Sequence, residues 1–280
     1  MNIQEFIIAA LAEDIGSGDH STLASIDAKV VGTAKLIVKE AGIIAGIRIA
    51  KEVFLHLDKE AVFTAFHTDG EYLEVGTIAF TVKAKAQAIL QAERLVLNTM
   101  QRMSGIATLT HSYVEKIKNY STTILDTRKT TPLFRAFEKE AVLLGGAKNH
   151  RMGLYDMIML KDNHIDYCGG IEKAIAAANN YLKEQQLQLP IEVETRSLDD
   201  VKRVVKVGGV QRIMLDNFTP QEIEAALVLI NKQFETEASG GINFDTIESY
   251  AATGVDFISV GAVIHHATSL DLSLKAVLHE

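Results

Sequence analysis

The later part of the chain alternates short apolar runs with helical segments, and this rhythm limits the possible fold more than any other feature of the sequence. From residue 191 onward the runs recur about every 22 residues, the length of one strand, one loop and one helix in a parallel sheet or barrel. A complete eight-stranded barrel takes about 250 residues and this region has about 145, so we predict a shortened parallel β/α barrel of about six strands. An open doubly wound sheet is the alternative. The predicted strands are 123–125, 157–160, 191–193, 212–215, 234–238 and 257–260.

The first part of the chain has a different pattern, typical of an α+β domain. An amphipathic helix leads, and alternating runs such as 34–38 and 78–82 favour strands. Apolar residues at three- and four-residue spacing then predict a long helical connector over 85–118, interrupted near Ser104 and Gly105. We therefore predict an N-terminal α+β domain with its connector over 1–107, a β/α barrel domain over 108–264, and a C-terminal helix over 265–280 that could pack on the N-terminal domain.

The charge balance and the single cysteine exclude several classes of protein. Lys and Arg number 28 against 36 Asp and Glu, a formal net charge of −8, so no nucleic acid partner is expected. Cys168 is the one cysteine, which excludes an internal disulfide and fits a reducing compartment. The N-terminus lacks the basic flank of a signal peptide, and no apolar stretch reaches the roughly 18 residues that span a bilayer. We expect a cytoplasmic protein with no membrane partner.

Polar or glycine residues follow every predicted strand of the barrel, at the end where the active sites of such folds lie. Basic residues are prominent among them: Arg128, Lys129 and Lys161, with His150 and Arg151 in the loop before the second strand. In a chain of net negative charge, so many cations at one rim predict an anionic ligand that neutralises them. A salt-bridged surface is the alternative. Arginine forks and lysine charges together suit a ligand that carries several carboxylate or phosphate groups.

Two carboxylates, Glu194 and Asp216, end adjacent predicted strands. Beside phosphate-binding groups they are suitable ligands for Mg²⁺, which keeps most of its waters and bridges to substrate phosphates. They could instead orient ribose hydroxyls or pair with Arg128 or Lys161. Glu192 points to the same face of an extended strand as Glu194, either as a second acid or as a partner for a lysine.

Glycines follow the last two predicted strands. Ser239, Gly240 and Gly241 lead into a predicted helix at Asn243, and Gly261 follows the sixth strand. Glycine lets backbone N–H groups approach phosphate oxygens, and the loops after the final strands of β/α barrels often bind phosphate. We therefore predict paired phosphate cradles at these two loops; simple turn formation is the alternative.

Several longer motifs stand out along the chain, at 93–94, 97–98, 101–108, 126–132, 149–156, 161–164, 215–218 and 239–242. They resemble the motifs of the quinolinate phosphoribosyltransferases, and the resemblance extends from residues 13–19 to residues 260–262. It implies a reaction in which quinolinate and phosphoribosyl pyrophosphate give nicotinate mononucleotide, CO₂ and pyrophosphate in NAD biosynthesis, with Mg²⁺ as cofactor.

The same resemblance implies which residues form the site. Arg94 reaches the quinolinate pocket of the other subunit in a homodimer, and Lys129 lies between quinolinate and the phosphoribosyl group. Glu194 and Asp216 hold metal and ribose, and these two residues with Lys129 and Lys161 are the expected catalytic groups. The residues expected to bind substrate are Arg94, Thr127, Arg128, Lys129, His150, Arg151, Lys161, Glu194, Asp216, Ser239, Gly240, Gly241, Val260, Gly261 and Ala262.

Three positions depart from the family pattern. Leu133 and Ala147 stand where relatives commonly have glycine, and Arg196 stands where they are often acidic and could alter metal or ribose contacts. The intact segment 161–164 argues against a related group linked to molybdenum transport. Two other functions remain as rivals: an aldolase that forms a Schiff base through Lys161, which leaves the arginines unexplained, and a non-catalytic nucleotide-binding module.

Overall fold

The structure is a computed structural model that describes residues 2–277. Its strands are β1 (Val31–Val38), β2 (Gly42–Ile43), β3 (Val62–Ala65), β4 (Tyr72–Leu73), β5 (Ile78–Lys85), β6 (Thr123–Leu125), β7 (Ile158–Leu160), β8 (Ile191–Thr195), β9 (Arg212–Asp216), β10 (Glu235–Ser239), β11 (Phe257–Ser259) and β12 (Leu272–Ala276). Its helices are α1 (Ile3–Ile15), α2 (His20–Ser25), α3 (Ile47–Leu57), α4 (Ala86–Lys116), α5 (Arg135–Leu144), α6 (Asp162–Cys168), α7 (Ile171–Gln185), α8 (Leu198–Val207), α9 (Pro220–Ile230), α10 (Ile247–Ala251) and α11 (Ala262–His265).

The described residues form two compact units, each made of segments that are distant in sequence. The first unit takes the described parts of Met1–His111, Thr131–Gly146 and His266–Glu280. The second takes Ser112–Thr130 and Ala147–His265. The predicted domain ranges, in contrast, are continuous. Among the helices in residues 2–277, none combines the length and the apolar character that a membrane crossing needs.

The first unit is built on an antiparallel sheet of order β12-β1-β5-β3, with helices around it. Alternate residues of β1 and β5 are buried, as the alternation in the sequence predicts. Phe54 of α3 packs on Phe80 of β5, with ring centroids 6.1 Å apart, and both side chains are fully buried. The predicted α+β character of this part of the chain is confirmed.

The predicted C-terminal helix is wrong in its described part, because Leu272–Ala276 forms strand β12. Leu272 and Leu274 are buried while Ser273 between them is less so, a period of two that fits a strand. β12 pairs antiparallel with β1, Leu274 opposite Leu36, so the segment completes a sheet edge that local helical propensity could not anticipate. Residues 278–280 of the predicted helix lie outside the described residues.

The predicted interruption of the connector is also wrong, since α4 continues through Ser104 and Gly105 to Lys116. Gly105 does not break the helix; its lack of a side chain makes room for the main chain at Thr268. A Cβ at this position would collide with the main-chain carbonyl oxygen of Thr268. Glycine therefore lets another segment of the first unit approach the helix axis closely.

The second unit contains the six predicted strands, in a parallel sheet of order β6-β11-β10-β9-β8-β7. From β7 to β11 each strand lies beside its predecessor in one direction, and the last strand pairs with the first, Ser259 opposite Leu125. A doubly wound sheet reverses direction once, whereas this order is that of a barrel. The shortened six-stranded β/α barrel is confirmed, and the doubly wound alternative is excluded.

Every residue of β8 is buried, including Glu192 and Glu194. Side chains on one face of a barrel strand point inward and those on the other meet the surrounding helices, so neither face is exposed to solvent. The two glutamates occupy one face, separated by Val193. A strand of this composition therefore introduces two carboxyl groups into the interior, and these groups require polar partners.

Candidate active site

The charged residues predicted at the strand ends all belong to the second unit, and contacts link them in sequence around its rim. Lys161 follows β7 and bonds to Glu194 of β8, and the charge of Glu194 acts on Asp216 at the end of β9. Asn217 follows Asp216 and lies against Gly240, after β10. The structure therefore brings the acidic pair, the lysine and the glycine loop to the carboxyl ends of neighbouring strands.

Two arginines on this rim lie close enough to repel each other. Burial, and then the positive charge of Arg128, hold the pKa of Arg151 below its usual value. The guanidinium of Arg151 donates to the main-chain oxygen of Met157 at 3.0 Å. The Nε of Arg128 is buried and has no hydrogen-bond partner among the described residues. This part of the rim thus has donors and positive charge in excess, which is the property of an anion site.

His150 lies beneath the arginines and is 8% exposed. Its Nε2 is 2.9 Å from Oε2 of Glu192 and 3.4 Å from Oε2 of Glu237. Its main-chain N–H donates to Oδ1 of Asp126 at 2.8 Å, and its Nδ1 accepts the N–H of Arg151 at 2.7 Å. Glu192 is therefore a partner for a histidine, not for the lysine that the sequence suggested.

Two effects oppose each other on the charge of His150. Burial lowers its pKa, whereas hydrogen bonds to the carboxylates of Glu192 and Glu237 raise it. The N–H of Arg151, in contrast, occupies Nδ1 and leaves that nitrogen no proton. A main-chain N–H cannot become an acceptor, so this geometry holds the neutral imidazole with its proton on Nε2.

The acidic pair forms the other side of the rim. Nζ of Lys161 lies 2.9 Å from Oε2 of Glu194, whose side chain is 8% exposed. Burial, and then the negative charge of Glu194, raise the pKa of Asp216 above its usual value. A carboxylate with a raised pKa beside a second carboxylate marks a place that is short of positive charge, so the pair fits Mg²⁺ by its donor chemistry.

The glycine loops lie where the sequence predicts phosphate cradles. Gly240 has φ of +95°, and a Cβ there would collide with Oδ1 of Asn217. A Cβ on Gly261 would lie 2.9 Å from Nε2 of His265 and 3.4 Å from Cδ of Lys129. Because glycine has no side chain, both loops can pack closely against their neighbours and a phosphate can approach their backbone N–H groups.

The other predicted residues of these loops have backbone or structural contacts. Thr127 Oγ1 accepts the N–H of Lys129 at 3.1 Å, and the N–H of Val260 donates to Leu125 at 2.9 Å. Ala262 begins α11, which has four residues. The predicted helix at Asn243 begins later, at Ile247, because the Asn243 side chain accepts main-chain N–H groups in a turn.

Arg94 is the predicted site residue that belongs to the first unit. It is exposed on α4 and lines a cavity of about 580 Å³ together with Asn98 and Leu133. Leu133 has φ of +62°, a left-handed conformation that glycine adopts more readily than leucine. Ala147, at the second departure, has no positive φ and is buried.

Arg196, the third departure, pairs with a residue outside the acidic pair. Its guanidinium bonds to Oδ1 of Asp166 at 3.1 Å, and both side chains are at least half exposed. This bond turns the arginine toward α6 rather than toward Glu194.

Sequence reasoning missed Asp126 and Glu237 as parts of the site. Asp126 lies in the segment 126–132 and was not assigned a role, although it is fully buried and accepts the main-chain N–H of His150. Glu237 precedes Ser239 by two residues, as Glu192 precedes Glu194, and this repeated spacing is the signal that could have found it.

A cavity of the second unit lies away from this rim. It has a volume of about 1350 Å³ and is lined by residues such as Ile191, Arg212 and Glu235, which begin β8, β9 and β10. These residues lie at the amino ends of the strands, whereas the charged rim lies at the carboxyl ends. Chemistry in barrels of this type takes place at the carboxyl ends, so volume alone does not identify the site.

Comparison with known proteins gives a consistent family. Residues 19–104 match the N-terminal domain model of quinolinate phosphoribosyl transferase, and residues 106–275 match its C-terminal domain model. Nicotinate-nucleotide pyrophosphorylase [carboxylating], chloroplastic, of Oryza sativa is 43% identical over 98% of this chain and 77% of its own. The mitochondrial quinolinate phosphoribosyltransferase [decarboxylating] 2b of Nicotiana tabacum is 41% identical over 98% of this chain and 82% of its own.

Solved structures agree. NadC from Streptococcus pyogenes superposes with a TM-score of 0.92 at 40% identity and covers 98% of this chain and 95% of its own. The nicotinate-nucleotide pyrophosphorylase from Francisella tularensis gives a TM-score of 0.92 at 38% identity, over 98% and 96% of the two chains. Since both domain models match and relatives exceed 40% identity over nearly the whole chain, the chain belongs to the quinolinate phosphoribosyltransferase family.

Proposed function

We propose that this protein transfers the phosphoribosyl group of phosphoribosyl pyrophosphate to quinolinate and releases CO₂ and pyrophosphate, giving nicotinate mononucleotide for NAD biosynthesis. The observation that carries the proposal is the buried Nε of Arg128, which has no protein partner in residues 2–277 and lies near a second arginine. Quinolinate supplies two carboxylates, the groups that guanidinium forks bind bidentately. The family of the chain supports the same substrate pair.

Each substrate has its own part of the rim. Arg128 and Arg151 bind the carboxylates of quinolinate, with Lys161 and His150 beside them. The loops at Ser239–Gly241 and Val260–Ala262 bind the 5′-phosphate. Lys129 supports this division, because its side chain reaches Gly261 from the loop that also carries Arg128.

Charge develops at two steps of the reaction, the transfer of the phosphoribosyl group and the loss of CO₂. The pyridine nitrogen forms a bond to C1 of the ribose as the bond to pyrophosphate breaks, and positive charge develops on the sugar while the leaving group becomes more negative. Lys129 and Lys161 stabilise the negative groups. The C2 carboxylate then leaves as CO₂, its electron pair remains at C2 beside the positive nitrogen, and a proton from solvent replaces it. No step requires a covalent bond to the protein.

Mg²⁺ is the expected cofactor, with Glu194 and Asp216 as the residues that would hold it. When bound, it would neutralise the pyrophosphate leaving group. Support comes from the two adjacent carboxylates and from the raised pKa of Asp216. Lys161 holds one oxygen of Glu194 and thereby orients the carboxylate toward its neighbour.

We also propose a homodimer in which Arg94 acts on the site of the partner subunit. Its exposure on α4 leaves the guanidinium accessible to a second copy. The cytoplasmic location expected from the sequence stays a prediction, since the relatives from rice and tobacco bear the names of two different organelles.

The test is an assay for quinolinate-dependent release of pyrophosphate and CO₂ from phosphoribosyl pyrophosphate. The expected result is stoichiometric release with wild-type protein, no release without quinolinate, and loss of turnover when a chelator removes divalent metal. Lys129→Ala and Arg151→Ala should each lower kcat/KM by about 100-fold or more. Full activity in either variant would contradict the site assignment.

The aldolase alternative has less support, because it leaves Arg128 and Arg151 without a role, and because Lys161 bonds to Glu194 at 2.9 Å. Borohydride in the presence of substrates should trap no adduct on Lys161. A trapped adduct, or turnover of a phosphorylated ketose, would favour the aldolase. Absence of any turnover with intact quinolinate binding would favour the non-catalytic module.

A further inference from the structure

Four ionisable side chains meet inside the second unit, below the rim: Glu192 of β8, Arg212 of β9, Glu237 of β10 and His150, and we call them the interior cluster. The side chains of Glu192 and Glu237 are fully buried, and those of His150 and Arg212 are 5% and 12% exposed. Burying charged groups in this way contributes little net stability compared with apolar packing. The interior cluster therefore requires an explanation other than the stability of the barrel.

Glu237 is the residue that connects the cluster. Its Oε2 accepts from Nη1 of Arg212 at 3.0 Å and lies 3.4 Å from Nε2 of His150. Arg212 is itself fixed, because it bonds to Glu235 at 2.9 Å and its guanidinium stacks on Phe257 at 4.2 Å. Glu237 thus joins a rigid cation at the amino end of β9 to the imidazole.

The imidazole in turn fixes the main chain of a substrate-binding residue. Nδ1 of His150 accepts the N–H of Arg151 at 2.7 Å. Asp126 holds the N–H of His150 itself at 2.8 Å. Both N–H groups of this dipeptide are therefore committed, and the Cα of Arg151 cannot turn while the ring keeps its orientation.

A metal ion is the competing explanation, because His150, Glu192 and Glu237 could each offer one ligand atom and these atoms lie within 4.8 Å of one another. Arg212 argues against it. Its guanidinium already balances one of the two carboxylates at hydrogen-bond distance, and a divalent cation would leave the buried group with net positive charge. The 2.9 Å contact from Nε2 to Glu192 is a hydrogen bond, which also occupies the nitrogen that a metal would need.

We propose that Glu237 is a positioning residue for quinolinate, which holds the His150 ring so that its Nδ1 fixes the Arg151 main chain and aims the Arg151 guanidinium at a substrate carboxylate. The proposal rests on the proposed function of the rim. Glu237 itself touches no substrate. Its effect should therefore appear in quinolinate affinity, and not in the affinity for the sugar phosphate or in the decarboxylation step.

The experiment compares Glu237→Gln with Glu235→Gln. Glu235 is a matched control, because it lies on the same strand and bonds to the same arginine, but its side chain is 54% exposed and does not contact His150 within residues 2–277. Expected for Glu237→Gln is a rise of about tenfold or more in the KM for quinolinate, and in the Kd measured by calorimetry without the second substrate. The KM for phosphoribosyl pyrophosphate and kcat should change by about twofold or less. Glu235→Gln should match wild type in all four values.

A second variant separates positioning from stability. Glu237→Gln removes the charged partner of Nη1 of Arg212, although Glu235 still bonds to the guanidinium at 2.9 Å, and should lower Tm. The double variant Arg212→Gln/Glu237→Gln replaces this contact with a neutral pair of amides, so Tm should recover while quinolinate KM and Kd stay raised. If the single variant does not fold, the double variant carries the comparison alone.

Three results would overturn the proposal. One is an unchanged quinolinate Kd in a folded Glu237 variant, and another is recovery of quinolinate KM together with Tm in the double variant. The third is one divalent ion per wild-type chain that is lost on Glu237→Gln. Failure of wild-type protein to release pyrophosphate would contradict the proposed function instead, and the calorimetric quinolinate Kd of the variants would still be informative.

Discussion

At the scale of single residues, the site combines groups that are unfavourable in the free protein. The Nε of Arg128 is a buried donor with no partner in the part of the chain that the structure describes, and the charge of Arg128 opposes that of Arg151. An unsatisfied buried donor costs about 1–3 kcal/mol of stability. Such a loss of stability is expected where a ligand supplies the missing acceptor. The same side chain then lowers the stability of the free protein and contributes to ligand binding.

Arg128→Met should therefore change stability and binding in opposite directions. Without ligand, Tm should rise by about 2–4 °C, because about 1 kcal/mol of unpaired donor and repulsion is removed. Quinolinate binding should weaken by about 100-fold, since a bidentate carboxylate partner is lost. Differential scanning calorimetry and titration calorimetry measure the two effects.

The control for this prediction is Arg196→Met, which removes an exposed arginine that is paired with Asp166. It should shift neither Tm nor quinolinate affinity appreciably, because exposed ion pairs contribute little. A lower Tm for Arg128→Met would show that Arg128 supports the free fold, and would remove the argument from its unpartnered nitrogen.

At the scale of helices and strands, local patterns and tertiary contacts contribute to different degrees. The six barrel strands agree with their predicted positions within two residues, because apolar runs bounded by polar residues and glycines are local signals. The continuity of α4 through Ser104 and Gly105 and the strand β12 do not follow local signals in the same way. In both cases a partner distant in sequence decides the outcome: Thr268 against α4, and β1 beside β12.

Gly105→Ala tests this tertiary control of α4. Alanine is the better helix former by about 1 kcal/mol, so local propensity alone predicts stabilisation. We expect destabilisation of about 3 kcal/mol, because the methyl group would collide with the carbonyl oxygen of Thr268, which is main chain and cannot rotate away. Denaturant unfolding of the two proteins provides the measurement.

Gln91→Ala is the matched control on the same helix, at a half-exposed position. It should be neutral or slightly stabilising by helix propensity. If Gly105→Ala behaved like Gln91→Ala, the close approach at Thr268 would not be a constraint, and the role of this glycine would need another explanation.

At the scale of the whole molecule, the proposed site needs residues from two chains. Arg94 lies in the first unit and the rest of the predicted site lies in the second. The dimer proposed above supplies Arg94 from the partner subunit, so inactive variants of different kinds should complement each other when mixed.

Mixing Arg94→Ala with Arg151→Ala tests this arrangement. Each variant alone should be nearly inactive. After subunit exchange at equal concentrations, half of the dimers are mixed and each mixed dimer has one intact site, so activity should return to about 25% of wild type. The same mixture without subunit exchange is the control. Activity that never exceeds the sum of the separate variants would show that Arg94 serves its own chain or none.

Much of the site could be predicted because its residues occupy recognisable places on a repeating pattern. The residue at the end of a parallel strand lies at the carboxyl rim of the barrel, however the surrounding helices pack. Lys161, Glu194 and Asp216 could therefore be assigned to that rim from the sequence alone. The contacts between them could not, since the pairing of Lys161 with Glu194 and of Arg196 with Asp166 depends on side-chain directions in three dimensions.

The alternation of strands and helices, the strand positions and the cationic character of the rim follow from the chain alone, because periodicity and residue type along the chain are local properties that persist in any compact state. The closure of the strands into a barrel and the partners of the interior cluster depend on contacts between distant segments. Glu192, Arg212, Glu237 and His150 are separated by 20 to 87 residues in pairs, and nothing in their immediate neighbours indicates that they meet. A buried charged side chain needs a partner of opposite charge, and the three-dimensional arrangement of the barrel determines which side chains are close enough to pair.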